Sequence, residues 1–498
     1  MKKSLLLSAA IAVLGAAAPA ETLRIPHELG YGGSESMDPI SPQRFYEAIQ
    51  NVYSRLVRQG DDGRPSADLA LSWEATPDAR EWTFNLRPDV TFHNANAFTA
   101  EDVAFSLMRT QSEAIDSPTK GVMEVIDRVE VIDPLTVKVV LKQSHADFPL
   151  LVMDYRIRML DAETCGNDLD ALCESGVGTG PFQMVDFDPL GTTTFTRFDN
   201  YYGGTVGTEN LELIAIADQD ARVAALQAGQ IDFIYALSAE QVPLFANNPN
   251  FTVQSVPTGR WVGLVMNTQI EPLNDPRVRK AIRMSADRDA LGKLVYGKDG
   301  YITSCDHPVW SGDQYRAEID CPRDIEGAKA LLAEAGYADG LTVELFVSDI
   351  SEGAVKMAEV LQNQAKDAGI TIELVPAPAD GYWGDVWMKE PFFATGWSQR
   401  PADQILNEAY RSSATWNETA WTSPDFDAKL DAARSELDFD KRKALYGELQ
   451  KELWENGGSF IPVHLNTVRA FSAKLSGVQP VEDFSIRYEG IAKSGSDS

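Results

Sequence analysis

The sequence predicts a multidomain α/β protein carrying an α+β insertion, and three observations predict it. Helix and strand patterns alternate through the second half of the chain. The stretch from Leu69 to Thr110 reads instead as short strands beside one helix. Without an N-terminal leader about 478 of the 498 residues remain, more than one hydrophobic core normally serves, so two or three domains are expected.

The leader is residues 1–20. Lys2 and Lys3 precede an apolar run from Leu5 to Leu14, and small residues end in Ala18-Pro19-Ala20 before Glu21, the three-part layout of a secretory signal peptide. The run is shorter than the roughly 18 residues that cross a hydrocarbon core. The first cysteine is Cys165, so a lipoprotein anchor has no attachment atom near the cut. The expected location is the periplasm.

In the Leu69–Thr110 stretch, Trp82–Leu86 predicts a strand, Arg87-Pro88-Asp89 a turn, and Val90-Thr91-Phe92 a second strand closing a hairpin. Thr99 predicts a helix cap, with Glu101 and Asp102 in the first turn. Gly176-Val177-Gly178-Thr179-Gly180 is followed by Pro181; it lacks the last glycine and helix opening of a dinucleotide loop and is expected to be a turn.

Farther along, Asp275-Pro276 predicts a capped helix start, and Val278, Ile282 and Ala286 then recur on one face. A helix from Ala354 places Val355, Ala358, Leu361 and Ala365 inward, stops at Gly369 and feeds the alternating strand Ile370–Leu374. Ser423-Pro424 opens another helix, and Leu445, Leu449 and Leu453 mark the next, ended by Gly457-Gly458.

Formal charge is −30, and about −32 without Lys2 and Lys3, which excludes the clustered cations a nucleic-acid partner needs. Four cysteines permit three pairings; in an oxidising compartment the two short loops, Cys165 with Cys173 and Cys305 with Cys321, are expected. The histidines His27, His93, His145, His307 and His464 are scattered, without zinc spacing, so no metal and no cofactor are expected. Phosphate-loop, zincin and nucleophile-elbow motifs are absent. That balance favours binding over catalysis.

One long segment, LALSWEATPDAREWTFNLRPDVTFHNANAFTAEDVAFSLMR from Leu69 to Arg109, resembles the signature of extracellular solute-binding protein family 5, the peptide, opine and nickel-type receptors of ABC importers. Met37-Asp38-Pro39, Tyr53–Val57, Gly178–Phe182, Asn267 with Asp275–Ile282, and Arg442–Pro462 resemble further family elements. Where the family has a glycine after the Phe-His pair, this chain reads His93-Asn94-Ala95-Asn96, and asparagine is expected to tolerate the left-handed backbone there.

The resemblance implies a type II periplasmic binding protein fold of cluster C: two lobes, a hinge of two crossing segments and an extra inserted α+β domain. The implied divisions are a discontinuous domain I (21–50, 175–258 and 466–498), an inserted domain II (51–174) and domain III (259–465). A small-molecule or short-peptide ligand would lie between domains I and III and pass to an inner-membrane ABC permease, with the protein acting as a monomer and not as an enzyme. Alternatives on the same scaffold are a hydrolase, a periplasmic chaperone or a sensor subunit; nickel carriage lacks a histidine cluster.

In peptide-binding relatives a loop beginning Gly-Trp presents an aspartate three residues after the tryptophan, for the peptide's α-amino group. Here the loop reads Gly396-Trp397-Ser398-Gln399-Arg400-Pro401-Ala402-Asp403. Arg400 would repel an ammonium and attract a carboxylate. Asp403 either replaces the missing acid or pairs with Arg400. Trp397 is expected to floor the pocket or lock the loop. Domain I is expected to contribute Ser41, Gln43, Arg44, Phe45 and Tyr46, where Arg44 would be a second cation. Arg260-Trp261 and Tyr382-Trp383 are placed near the cleft by the same resemblance.

Overall fold

The computed structural model of the protein describes residues 21–28, 30–60, 63–481 and 486–494. The expected leader, residues 1–20, lies outside them.

One lobe begins with the strand Thr22–His27, which runs parallel to Asn210–Ala215; Thr192–Arg197 and Phe182–Asp186 continue that sheet antiparallel. Phe251–Pro257 and Phe233–Ile234 flank the long strand Val463–Ser472 in a second sheet. The other lobe is a five-stranded mixed sheet, ordered Ile370–Pro376, Leu341–Val347, Phe392–Trp397, Trp261–Met266 and Ser459–Phe460. Its inner strand Trp261–Met266 is buried on both faces, whereas Ile370–Pro376 alternates buried and exposed at the edge.

The lobes are joined where two segments cross side by side. Leu465 N donates to Arg260 O at 2.8 Å, and the Thr258 hydroxyl donates to Leu465 O at 2.7 Å. Inserted in the first lobe's sequence, between Thr22–His27 and Phe182–Asp186, is a separate antiparallel sheet ordered Ala70–Ala75, Glu81–Leu86, Thr136–Leu141 and Ile126–Asp133, covered by the helix Ala100–Arg109.

The predicted helices form for the reasons their ends suggest. Asp275 accepts from Arg277 N with Pro276 in the first turn, Ser423 accepts from Phe426 N with Pro424 behind it, and Thr99 forms a reciprocal capping box with Asp102. The helix Ala354–Ala365 buries Ala354, Met357, Ala358, Leu361 and Ala365, so Val355 sits on its flank. Each fully buried leucine there stabilises the lobe by roughly 2 kcal/mol, and truncating Leu361 to Ala would cost about 2–5 kcal/mol. Gly369, at φ 79°, ends the helical run and turns the chain into Ile370–Pro376.

Three local expectations are corrected. Val90–Phe92 is not a strand, for Glu81–Leu86 already has both edges filled by Ala70–Ala75 and Thr136–Leu141. The left-handed residue after His93 is Ala95, at φ 70°, and not an asparagine. Asn94 instead accepts from Asn96 N, and both asparagine side chains donate to Asp161, which holds the turn from outside. The glycine run does not make a simple turn. Gly180 N bonds Val52 O at 2.8 Å, and a Cβ at Gly178 or Gly180 would run into the Val52 carbonyl, so these glycines permit two backbones to cross closely.

Both expected disulfides, Cys165–Cys173 and Cys305–Cys321, are formed. Among the described residues no helix is long and apolar enough to cross a membrane.

Candidate functional site

In open α/β sheets, ligands gather beyond the carboxyl ends of parallel strands. Three such ends converge in the larger lobe, at Val347, Pro376 and Trp397, and two in the smaller, at His27 and Ala215.

The Gly-Trp loop leaves the third of these strands. Trp397 pairs in register with Trp261, their rings stacked at 6.3 Å and 21°. Its indole N–H donates to Glu418 Oε2 at 3.0 Å. Ser398 is exposed, Gln399 accepts from Gly259 N, and Arg400 donates to Gln399 O at 3.0 Å. Trp383 is 48% exposed, whereas Tyr382 is sealed in, its hydroxyl donating to Ala394 O at 2.9 Å. Arg260 faces a recess of about 190 Å³ beside the crossing segments, with Tyr296, Lys298 and Glu352.

On the smaller lobe the segment after Pro39 is tightly folded on itself. Ser41 is fully buried, its hydroxyl accepting from Gln43 N and its carbonyl from the Arg44 guanidinium at 3.1 Å. Phe45 is 3% exposed and packs between His27 and Phe187, so it belongs to the lobe's core and presents no face to a ligand. Ser41, Trp261 and Tyr382 are likewise shut from solvent in this conformation. The Tyr46 ring lies against Tyr155 at 4.7 Å.

Arg44 and Arg400 belong to one electrostatic cluster that draws on all three parts of the chain. Burial pushes the Arg44 guanidinium below its ordinary value, with Tyr155 opposing the shift and Arg156 adding to it. Arg156 is held by Asp154 at 2.5 and 2.8 Å and feels the charge of Glu408. Glu408 in turn lies 3.5 Å from Arg400 Nε, although neither of those atoms has a well-formed hydrogen bond. These groups are linked in series, Arg44 to Arg156 and Arg156 through Glu408 to Arg400, with Asp154 on Arg156, and along that series the guanidiniums exceed the carboxylates by one.

Asp403 is not Arg400's partner. Its carboxylate accepts from Arg434 at 2.8 Å and from the Tyr446 hydroxyl at 2.9 Å, with His145 Nε2 at 3.4 Å. Burial pushes this carboxyl up, but the contact with His145 and the Arg434 guanidinium outweigh it and hold it well below the usual range. The reading that pairs Asp403 with Arg400 is thus corrected: the residue fastens the loop after Thr136–Leu141 onto the larger lobe. A cavity of about 480 Å³ borders this contact, lined by His145, Asp403, Glu408 and Arg434.

Several polar groups in contact with these residues or at the strand ends carry no sequence signal of their own. Arg156, Glu408 and Glu418 lie outside any motif. His27, Glu28, Gln219 and Arg222 line a recess of about 230 Å³ beyond the parallel strand ends, and the strand-end rule points to that position once the pairing is known. Among the described residues no group of three or more His, Cys, Asp or Glu side chains is arranged to hold a metal ion.

The model for bacterial extracellular solute-binding proteins, family 5, middle region, matches residues 64–418. The chain is 26% identical over 474 residues to the glutathione-binding protein GsiB of Pectobacterium atrosepticum, covering 92% of this chain and 90% of that one. It is 29% identical over 463 residues to the heme-binding protein A of Haemophilus influenzae, covering 84% and 82%. Among solved structures, HbpA2 from Haemophilus parasuis superposes with a TM-score of 0.84 at 22% identity, covering 95% of this chain and 100% of that one.

Proposed function

We propose that this chain, which belongs to the bacterial extracellular solute-binding proteins of family 5, captures a small peptide or peptide-like solute bearing an anionic group between its two lobes. The family is one of binding proteins and not of enzymes. The protein works in the periplasm as a monomer and hands its solute to an inner-membrane ABC permease. Energy for capture comes from contacts made when the lobes close on the solute, because a ligand shifts that equilibrium only by its differential affinity.

One observation carries the anionic part of this reading. The loop position that would hold an acid for a peptide ammonium holds Arg400, and the nearby Asp403 is occupied by Arg434 and Tyr446. Arg44, Arg156 and Arg400 outnumber Asp154 and Glu408 in that region. Guanidinium forks suit carboxylates, and a cation in excess favours an anion over an ammonium. Glutathione and heme, named for two relatives, are chemically unlike, yet each carries two carboxylates.

The test pairs mass spectrometry of whatever co-purifies with the protein with titration calorimetry of glutathione and of an acidic tripeptide against its C-terminal amide. Recovery of an unmodified anionic solute, and at least a tenfold loss on amidation, are expected. Equal affinity for acid and amide would overturn the anionic assignment.

A further inference from the structure

Beside the cation cluster stands a row of four indoles organised around one buried acid. Glu418 is 5% exposed, and no cation is among the groups that set its ionisation. It accepts from three neutral donors: Trp387 Nε1 and the Thr395 hydroxyl (2.6 Å) on Oε1, and Trp397 Nε1 (3.0 Å) on Oε2. Its backbone N–H also bonds Trp416 O at 2.8 Å. Burying a carboxylate without a counter-cation is costly, and hydrogen bonds must offset that cost. An acceptor-only group is what three convergent donors require, and a glutamine amide would turn an N–H toward one of them.

Outward from Glu418, the row ends in two tryptophans that remain open to solvent. Trp416 stands edge-to-face on Trp397 at 5.8 Å, and Trp383 edge-to-face on Trp387 at 5.7 Å. They are 46% and 48% exposed. Each therefore presents an open ring face or edge on which a planar group can stack. The row lies at the carboxyl ends of Ile370–Pro376 and Phe392–Trp397, and Arg400 follows Trp397 on the same loop, so it is continuous with the charged region.

We propose that Glu418 is a positioning residue that holds these indoles as an aromatic wall, and that the wall selects solutes carrying a planar apolar group besides their anionic one. This deepens, and in its peptide form rests on, the function proposed above. The aromatic portion of the solute stacks on Trp383 or Trp416 while its carboxylate lies toward Arg400. Glu418 itself does not touch the solute; it acts through Trp387 and Trp397.

The test measures a ratio of affinities, which a general loss of stability leaves unmoved. Ala-Phe-Glu and Phe-Ala-Glu are titrated against Ala-Ala-Glu, and indole-3-acetate against acetate, into the wild-type protein, Glu418→Gln and Trp416→Leu. The wild type is expected to prefer the better phenylalanine peptide, and indole-3-acetate over acetate, by about tenfold. In Glu418→Gln both ratios fall to about two or less, and in Trp416→Leu, a surface change that spares folding, they also drop. A wild-type ratio near one, or ratios retained in both variants, overturns the wall. Binding of indole-3-acetate that depends on Glu418, without binding of any tripeptide, upholds the wall and removes the peptide reading; no binding of either kind removes both.

Discussion

Asp38 and Arg109 form a bidentate ion pair sealed from solvent on both sides, with Arg109 donating to the two carboxylate oxygens at 3.0 and 2.7 Å. Asp38 belongs to the Met37-Asp38-Pro39 element, and Arg109 ends the long signature run. Their pairing, with Cys173 N also donating to Asp38, fastens the N-terminal segment to the helix Ala100–Arg109 and to the Cys165–Cys173 loop. Two family-like elements far apart in the chain thus share one structural purpose.

Removing either charge leaves the other buried and unpaired. Arg109→Met or Asp38→Asn is expected to lower unfolding free energy by about 3–5 kcal/mol in urea titrations. A small loss in the single variants would show that solvent reaches the pair.

Asp403 makes stability depend on pH in a definite direction. Its folded-state carboxyl is held below the unfolded value, so its contribution is fully present above about pH 4 and is lost as pH falls toward the folded value. Asp403→Asn is therefore expected to be less stable than wild type at pH 7, with the gap narrowing by about 1.4 kcal/mol per pH unit below pH 4. Urea titrations across pH 3–7 measure this; a gap independent of pH would contradict the role of Arg434 and His145.

The Cys305–Cys321 bridge spans a sequence separation of 16 and holds the segment carrying Asp306, which pairs with Arg288. Serine at both cysteines is expected to cost about 3 kcal/mol, chiefly through the greater freedom of the unfolded chain. Thermal unfolding of the oxidised wild type and the double variant decides it.

Charge changes in the three-way cluster test the anionic reading residue by residue. Arg44→Ala and Arg400→Ala are each expected to weaken an acidic tripeptide about tenfold, and Glu408→Gln, by removing a competing negative charge, to tighten it a few-fold. The effects shrink as salt rises. Calorimetry showing Glu408→Gln weaker than wild type would mean that this acid, and not its arginine neighbours, holds the solute.

A sealed tyrosine joins the loop after Thr136–Leu141 to the larger lobe. Tyr315 donates to Asp147 at 2.7 Å and accepts from Arg442, whose guanidinium also lies 3.3 Å from Asp147. Tyr315→Phe strips the hydroxyl from a buried network and is expected to destabilise the protein by about 1–3 kcal/mol, measured by thermal or urea unfolding.

By itself the sequence determined the helix starts at Asp275 and Ser423, the stop at Gly369 and the strand that follows it, because caps and turns are settled by side chains within a few positions of each other. The resemblance, and not the residues alone, led to the expectation that Arg400 takes an acid's place. Only the tertiary structure decided that Phe45 is core, that Asp403 is taken by Arg434 and not by Arg400, and that Arg44, Arg156, Glu408 and Arg400 are linked in series. Val90–Phe92 failed as a strand for the same reason: its neighbour's edges were claimed by strands distant in the chain. Charge and edge pairing act through space, and which partners come within reach depends on how separately folded segments pack, a quantity that local residue patterns do not contain.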